Sequence, residues 1–189
     1  MLLNADVYIF ASQMSGRERE QKKVVVGRKA EFLPEAGENK AYVLLSYIFP
    51  CEGTILSWEY FRRDSVITPY ACVWRRVAEN GPHCYMLVGY TELPPSDSVD
   101  GHQVVPIDPS ERIQVKPGDI LGIFHSVYNI HGAVATAKKD QGVDEDLHST
   151  ILADVYEEDI DIGDVVDFQE KNMTCEKRSF SIRAHVQPS

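Results

Sequence analysis

Glu111 to His125 reads E-R-I-Q-V-K-P-G-D-I-L-G-I-F-H, and this stretch decides the fold class. Ile113 and Val115 alternate with polar neighbours, Lys116-Pro117-Gly118-Asp119 has the composition of a tight turn, and Ile120 to Phe124 is a short apolar run. The pattern predicts a central hairpin: a strand, a turn, and a strand buried on both faces. Gly-Asp followed by two aliphatics recurs at Gly163-Asp164-Val165-Val166, just before Phe168, so one turn device is used twice.

Outward from that stretch the strand signals continue. Val24 to Val26 is β-branched, Ala41 to Phe49 is apolar, and Thr54 to Arg62 alternates so that Leu56, Trp58 and Tyr60 are expected on one face. Val66 to Val77 and Cys84 to Thr91 flank a Glu79-Asn80-Gly81-Pro82 turn, which predicts a hairpin. Leu93 to Val104, rich in Pro, Ser and Asp, reads as a long loop, and Ser149 to Tyr156 as a strand or helical turn. Phe180, Ile182, Ala184 and Val186 alternate with Ser181, Arg183 and His185, which gives a final strand with one core face and one wet face. Short strands with little helical periodicity predict an all-β chain, an antiparallel, jelly-roll-like β-sandwich over residues 41–189. Residues 1–40 read as an N-terminal arm or edge strands, with Asp6 to Ser12 a possible first strand.

The chain has 189 residues and a formal net charge of -10, but the charge is local. Asp140 to Glu170 holds twelve acidic residues and no Lys or Arg, leaving seventeen acids against nineteen bases elsewhere. A surface of that sign argues against nucleic acid, whose phosphates require bases, and points to cations or a basic protein surface. The basic residues Arg17, Arg19, Lys22, Lys23, Arg28 and Lys29 complement it, so a homo-oligomer with the arm docked on the acidic segment is a second expectation. No apolar run approaches the length of a membrane helix, and Asp6 interrupts what would be a leader. The chain is therefore expected not to insert in a membrane, and to be either cytosolic or a segment cut from a longer precursor.

Cys51, Cys72, Cys84 and Cys175 lack the spacing of a zinc site. They fit two disulfides, for which Cys72 with Cys84 and Cys51 with Cys175 is the favoured pairing; the alternative is four free thiols. Asn172-Met173-Thr174 is a glycosylation sequon.

The runs Cys51 to Tyr60, Cys72 to Arg75, Tyr85 to Gly89 and Arg112 to Gly122 resemble an extracellular, jelly-roll-like β-sandwich module of invertebrate surface and secreted proteins. The resemblance covers roughly Ala41 to Phe124. It implies a sandwich fold and an extracellular, secreted location, and carries no functional residues with it.

Few constellations carry chemistry. Asp159, Asp161, Asp164, Asp167 and Glu170 offer hard oxygens at spacings close to a calcium loop, although Gly163 and Asp164 stand in reversed order for an EF-hand. Calcium at Asp159, Asp161 and Asp164 is the one cofactor expectation. Trp74 and Arg76, with Tyr128 and His131, form a candidate ligand-binding set, since aromatic faces stack on sugar rings and Arg donates to hydroxyl or carboxylate groups. His83 and Cys84 are adjacent on a strand and point to opposite faces, which disfavours a nucleophilic pair, and no nucleophile elbow is present. The expectation is a non-enzymatic adhesion or recognition module binding a glycan or protein surface. His125 and His131, separated by five residues around Tyr128, read as loop residues; the alternatives are the self-assembling protein above and a cupin-like metal-dependent enzyme, whose metal ligands the sequence does not display.

Overall fold

Each strand belongs to one of two antiparallel sheets, and the chain crosses repeatedly between them. A computed structural model describes residues 23–63, 68–93, 101–125, 133–139, 141 and 147–189. The strands are β1 (Val24–Gly27), β2 (Ala41–Ile48), β3 (Gly53–Arg62), β4 (Pro69–Arg76), β5 (Cys84–Glu92), β6 (Gly101–Pro106) and β7 (Gln114–Val115), followed by β8 (Ile120–His125), β9 (Thr136–Lys138), β10 (His148–Ala153), β11 (Val165–Asp167), β12 (Thr174–Phe180) and β13 (Ile182–Pro188). Sheet A runs β1-β13-β3-β6, with β7 also on β3, and sheet B runs β11-β5-β4-β8-β2-β10-β12-β9. Strands 1, 13, 3 and 6 thus face strands 2, 8, 4 and 5, the crossing pattern of a jelly roll, with β9 to β12 extending one wall.

The inward faces meet in one apolar layer that includes Tyr42, Leu44, Ile55, Trp58, Tyr60, Val73, Leu121, Ile123, Phe180, Ile182 and Ala184. The predicted alternation of the last strand holds, but the strand is two. Phe180 ends β12 in sheet B and Ile182 begins β13 in sheet A. Ser181 makes the join: its N–H donates to Ala135 O at 2.9 Å, its carbonyl accepts from Phe61 N at 3.0 Å, and its hydroxyl donates to Glu31 O at 2.6 Å.

Four expectations need correction. The central hairpin is not one, because β7 pairs with β3 in sheet A whereas β8 pairs with β2 and β4 in sheet B. The Lys116–Asp119 turn instead carries the chain between the sheets. In β3 the pairing passes from Ser57 opposite His185 to Ile55 opposite Val186, so Leu56 is a bulge residue and Ile55 takes the core position expected of it. Gly101 to Val104, expected within a loop, belongs to strand β6 (Gly101–Pro106) on the edge of sheet A, where a proline needs no ladder partner.

The fourth concerns the cysteines, which are all free. Cys72 lies opposite Tyr90, while Cys84 sits at the far end of β5 beside the hairpin turn, its Sγ 3.2 Å from Asn80 O. Disulfides need Cα atoms within about 7 Å; the register excludes Cys72 with Cys84, and no two of the four cysteines stand at disulfide distance. Burial pushes the Cys72 thiol well above its ordinary pKa.

Candidate functional site

The two outward faces of the sandwich have opposite fates. On sheet B, Tyr70, Cys72, Trp74, Tyr85, Leu87, Ile120, Phe124 and Ile151 form a second apolar surface, and residues 154–173 cross over it as a strap. Val155, Ile160 and Phe168 seal that surface. Phe168 meets the Trp74 ring edge-on at 5.2 Å and the Tyr85 ring at 5.3 Å. Trp74 is 0% exposed and lies over Gly122, where a Cβ would sit 2.3 Å from the indole. The expected sugar-stacking role for Trp74 is therefore corrected: its ring is core, covered by the acidic segment itself. Arg76, two residues on, is exposed at the end of β4.

Among the described residues, no segment crosses the outward face of sheet A. Register places Gly27, Arg183, Glu59 and Val104 in one cross-strand row, with Val25, His185, Ser57 and Pro106 in the next and His102 opposite Phe61. Glu59, 9% exposed at its side chain, sits at the centre. Its Oε1 accepts from Arg183 Nη2 at 2.7 Å and lies 2.9 Å from His102 Nε2. Its Oε2 accepts from Arg183 Nε at 2.9 Å and lies 2.8 Å from His185 Nε2. Burial opposes the charged carboxylate, but the bonds from His102, Arg183 and His185 and the Arg183 charge outweigh it and hold the pKa at about 2. An ionised carboxylate only accepts, so both imidazoles donate through Nε2, and four donors fill its four lone-pair sites. Beside the network is a hollow of about 300 Å³ lined by Lys23, Leu56, Ser57, Glu59, Val104, His185 and Val186. Val104 is 55% exposed on its rim.

The signal for this site in the sequence is half present. The alternation of the last strand puts Arg183 and His185 on the wet face, yet nothing local joins them to Glu59, more than 120 positions away in the chain, or to His102, which reads as loop.

A second hollow, of about 330 Å³, is lined by Glu35, Ala36, Gly37, Glu38, Lys138 and Arg178. Here the charges neutralise one another. Arg178, fully buried, pairs with Glu176 at 2.5 Å and Glu38 at 3.5 Å, and its guanidinium lies over the Tyr42 and Phe180 rings. Lys138 contacts Glu38 and Glu176, and Lys40 contacts Glu38 and Asp154. This cluster fastens residues 35–38 to β9 and β12.

Of the other expected site residues, Tyr128 and His131 lie outside the described residues. His125 is buried at the end of β8, its Nδ1 3.2 Å from Lys40 O, and burial holds its pKa at about 4, so the imidazole is neutral near pH 7. Asp159 closes a 3-10 turn, and Asp164 turns its carboxylate back to accept from Asp161 N at 3.0 Å. Among the described residues no group of three or more His, Cys, Asp or Glu is placed to hold a metal ion. Asn172 is exposed in the left-handed conformation, with its Nδ2 donating to Asp154 Oδ2 at 2.9 Å.

No protein-family model, curated protein or solved structure matches the chain.

Proposed function

We propose that the chain is a non-enzymatic recognition module, extracellular in setting, that meets a glycan or protein surface with the outward face of sheet A. One observation carries this reading: the face of sheet B is sealed by the strap, whereas sheet A presents Lys23, His102, Arg183 and His185 around a saturated carboxylate. A network in which a buried acceptor fixes several partly exposed donors is rigid before any ligand arrives, which lowers the ordering cost of binding. Sheet A is also backed by the full inter-sheet core.

The test compares the two faces. Lys23→Glu combined with His102→Ala changes the open face without touching the core, and Glu158→Lys changes an exposed residue of the strap. On an array of immobilised glycans and extracellular proteins, the first variant is expected to lose capture about tenfold and the second to keep it. Equal capture by the sheet A variant and the parent chain overturns the reading.

The second reading is self-assembly, with the basic arm of one copy docked on the acidic segment of another: Arg17, Arg19 and Lys22 of that arm lie outside the described residues, and the acidic segment is exposed at Glu158 and Asp159. A contact between them is heterologous and leads to rings or filaments. Sedimentation that shifts with concentration, and reverts in high salt, favours that reading over the first.

A further inference from the structure

Asn172-Met173-Thr174 has no part in the face of sheet A. Of the five asparagines in the chain, Asn4, Asn39, Asn80, Asn129 and Asn172, only Asn172 has Ser or Thr two residues on, and the residue between is not proline. The tripeptide stands at the end of the strap, where a 3-10 turn over Phe168–Lys171 gives way to β12. Asn172 and Thr174 are exposed, whereas Met173 packs against the apolar surface of sheet B. The two residues that carry the chemistry therefore face solvent, and the one between them is the anchor.

Asn172 has φ 54° and ψ 42°, and among the described residues it is the one non-glycine with positive φ. Asparagine tolerates the left-handed region better than most side chains, so the turn itself accounts for Asn at this position. It does not account for a hydroxyl two residues later. Thr174 pairs with Leu152 through its backbone, and its side chain makes no hydrogen bond among the described residues.

The turn also holds the amide in place. Asp154 N–H donates to Lys171 O at 2.8 Å, and Asn172 Nδ2 donates to Asp154 Oδ2 at 2.9 Å. A side-chain amide has two N–H donors, so replacing one by a substituent leaves the other for Asp154. The folded turn thus accommodates a group on Nδ2 without losing its own bond.

Building on the extracellular setting proposed above, we infer that Asn172 carries an N-linked oligosaccharide, fixed to the sheet B side of the sandwich. The donor is an oligosaccharide on a polyprenyl pyrophosphate. Its C1–O bond to the pyrophosphate breaks, one N–H bond of Asn172 Nδ2 breaks, and an Nδ2–C1 bond forms. The proton leaves with the pyrophosphate carrier, and nothing is oxidised or reduced. Asn172 adjoins β12, which pairs with β10 in sheet B, whereas Glu59 and its donors stand on β3, β6 and β13 of sheet A. The glycan is attached on the wall that the strap already covers, away from the face offered for recognition.

The experiment translates the full chain behind a cleavable secretory leader into microsomes from the endoplasmic reticulum and reads the mass of the protease-protected product. One added glycan is expected, removable by peptide N-glycosidase with conversion of Asn172 to aspartate. Asn172→Gly keeps the left-handed turn and is expected to abolish the added mass. Thr174→Val keeps Asn172, its turn and a β-branched strand residue, and is expected to abolish it too, while Thr174→Ser keeps it. A urea midpoint for Thr174→Val equal to that of the enzymatically deglycosylated parent shows that the loss is one of recognition and not of folding.

A protected chain at its bare polypeptide mass overturns the inference. So does added mass that persists in Asn172→Gly or in Thr174→Val. Array capture separates this result from the reading it rests on. The glycosylated and enzymatically deglycosylated chains are expected to be captured equally. Capture that rises on removal of the glycan overturns its placement away from sheet A. If neither form is captured but the mass shift appears, the recognition reading falls and the glycan at Asn172 stands.

Discussion

Lys116-Pro117-Gly118-Asp119 and Asp161-Ile162-Gly163-Asp164 close in the same way. In each, the Asp N–H donates to the carbonyl three residues back at 3.1 Å, and the Asp carboxylate accepts from that residue's N–H, at 2.8 Å in the first turn and 3.0 Å in the second. Gly118 and Gly163 both take positive φ, +91° and +100°. The surroundings differ. Asp119 is 1% exposed and receives a two-pronged contact from Arg75, Nε to Oδ1 at 2.7 Å and Nη2 to Oδ2 at 2.8 Å, while its backbone bonds to Phe49. Asp164 is exposed, and among the described residues its side chain bonds within its own turn. Identical local chemistry thus sets the bend in both places, and burial decides how much the bend matters to the whole.

The largest expected effect is at the buried copy. Asp119→Ala leaves the Arg75 guanidinium and the Lys116 N–H without their acceptor and is expected to cost about 3 kcal/mol, read from the urea midpoint. A loss no greater than that of the exposed counterpart removes the distinction between the turns. Next come Gly118→Ala and Gly163→Ala. Nothing lies within 4 Å of a Cβ at either position, so only the left-handed backbone resists, at about 1 kcal/mol each. Matched losses in the two variants sharpen the comparison by confining the difference between the turns to the aspartates. A clear mismatch means that the surroundings act on the backbone too. The smallest effect is expected for Asp164→Ala, about 0.5 kcal/mol for one solvated turn bond, so its denaturation curve nearly overlays that of the parent.

The same division between local and distant physics governs how much the sequence reveals. Gly118-Asp119 and Gly163-Asp164 announce their turns, and Phe180, Ile182, Ala184 and Val186 announce a buried face, because these depend on residues near in sequence. Leu56 misleads, since the bulge that turns it aside arises from pairing with His185 and Val186. Trp74 reads as core first and as a ligand platform second. Only the folded strap places Phe168 against it, and the strap's acidic composition conceals the few apolar residues that do the covering. The network at Glu59 draws on β3, β6 and β13, and no window of sequence contains more than two of its members. The cysteines show the converse: their count suggests bridges, yet all four thiols are free in the fold.

The join at Ser181 has a consequence for how the chain is made. Strand β13 lies between β1 and β3, and β12 lies between β10 and β9, so the run from Thr174 to Pro188 is interior to both sheets. During synthesis β1 and β3 emerge early and wait for a neighbour that is translated more than a hundred residues later. Contacts of such separation form slowly, and the waiting edges are open to other chains. The sandwich therefore closes late and nearly all at once, and its most vulnerable moment falls on the ribosome and not in the finished fold.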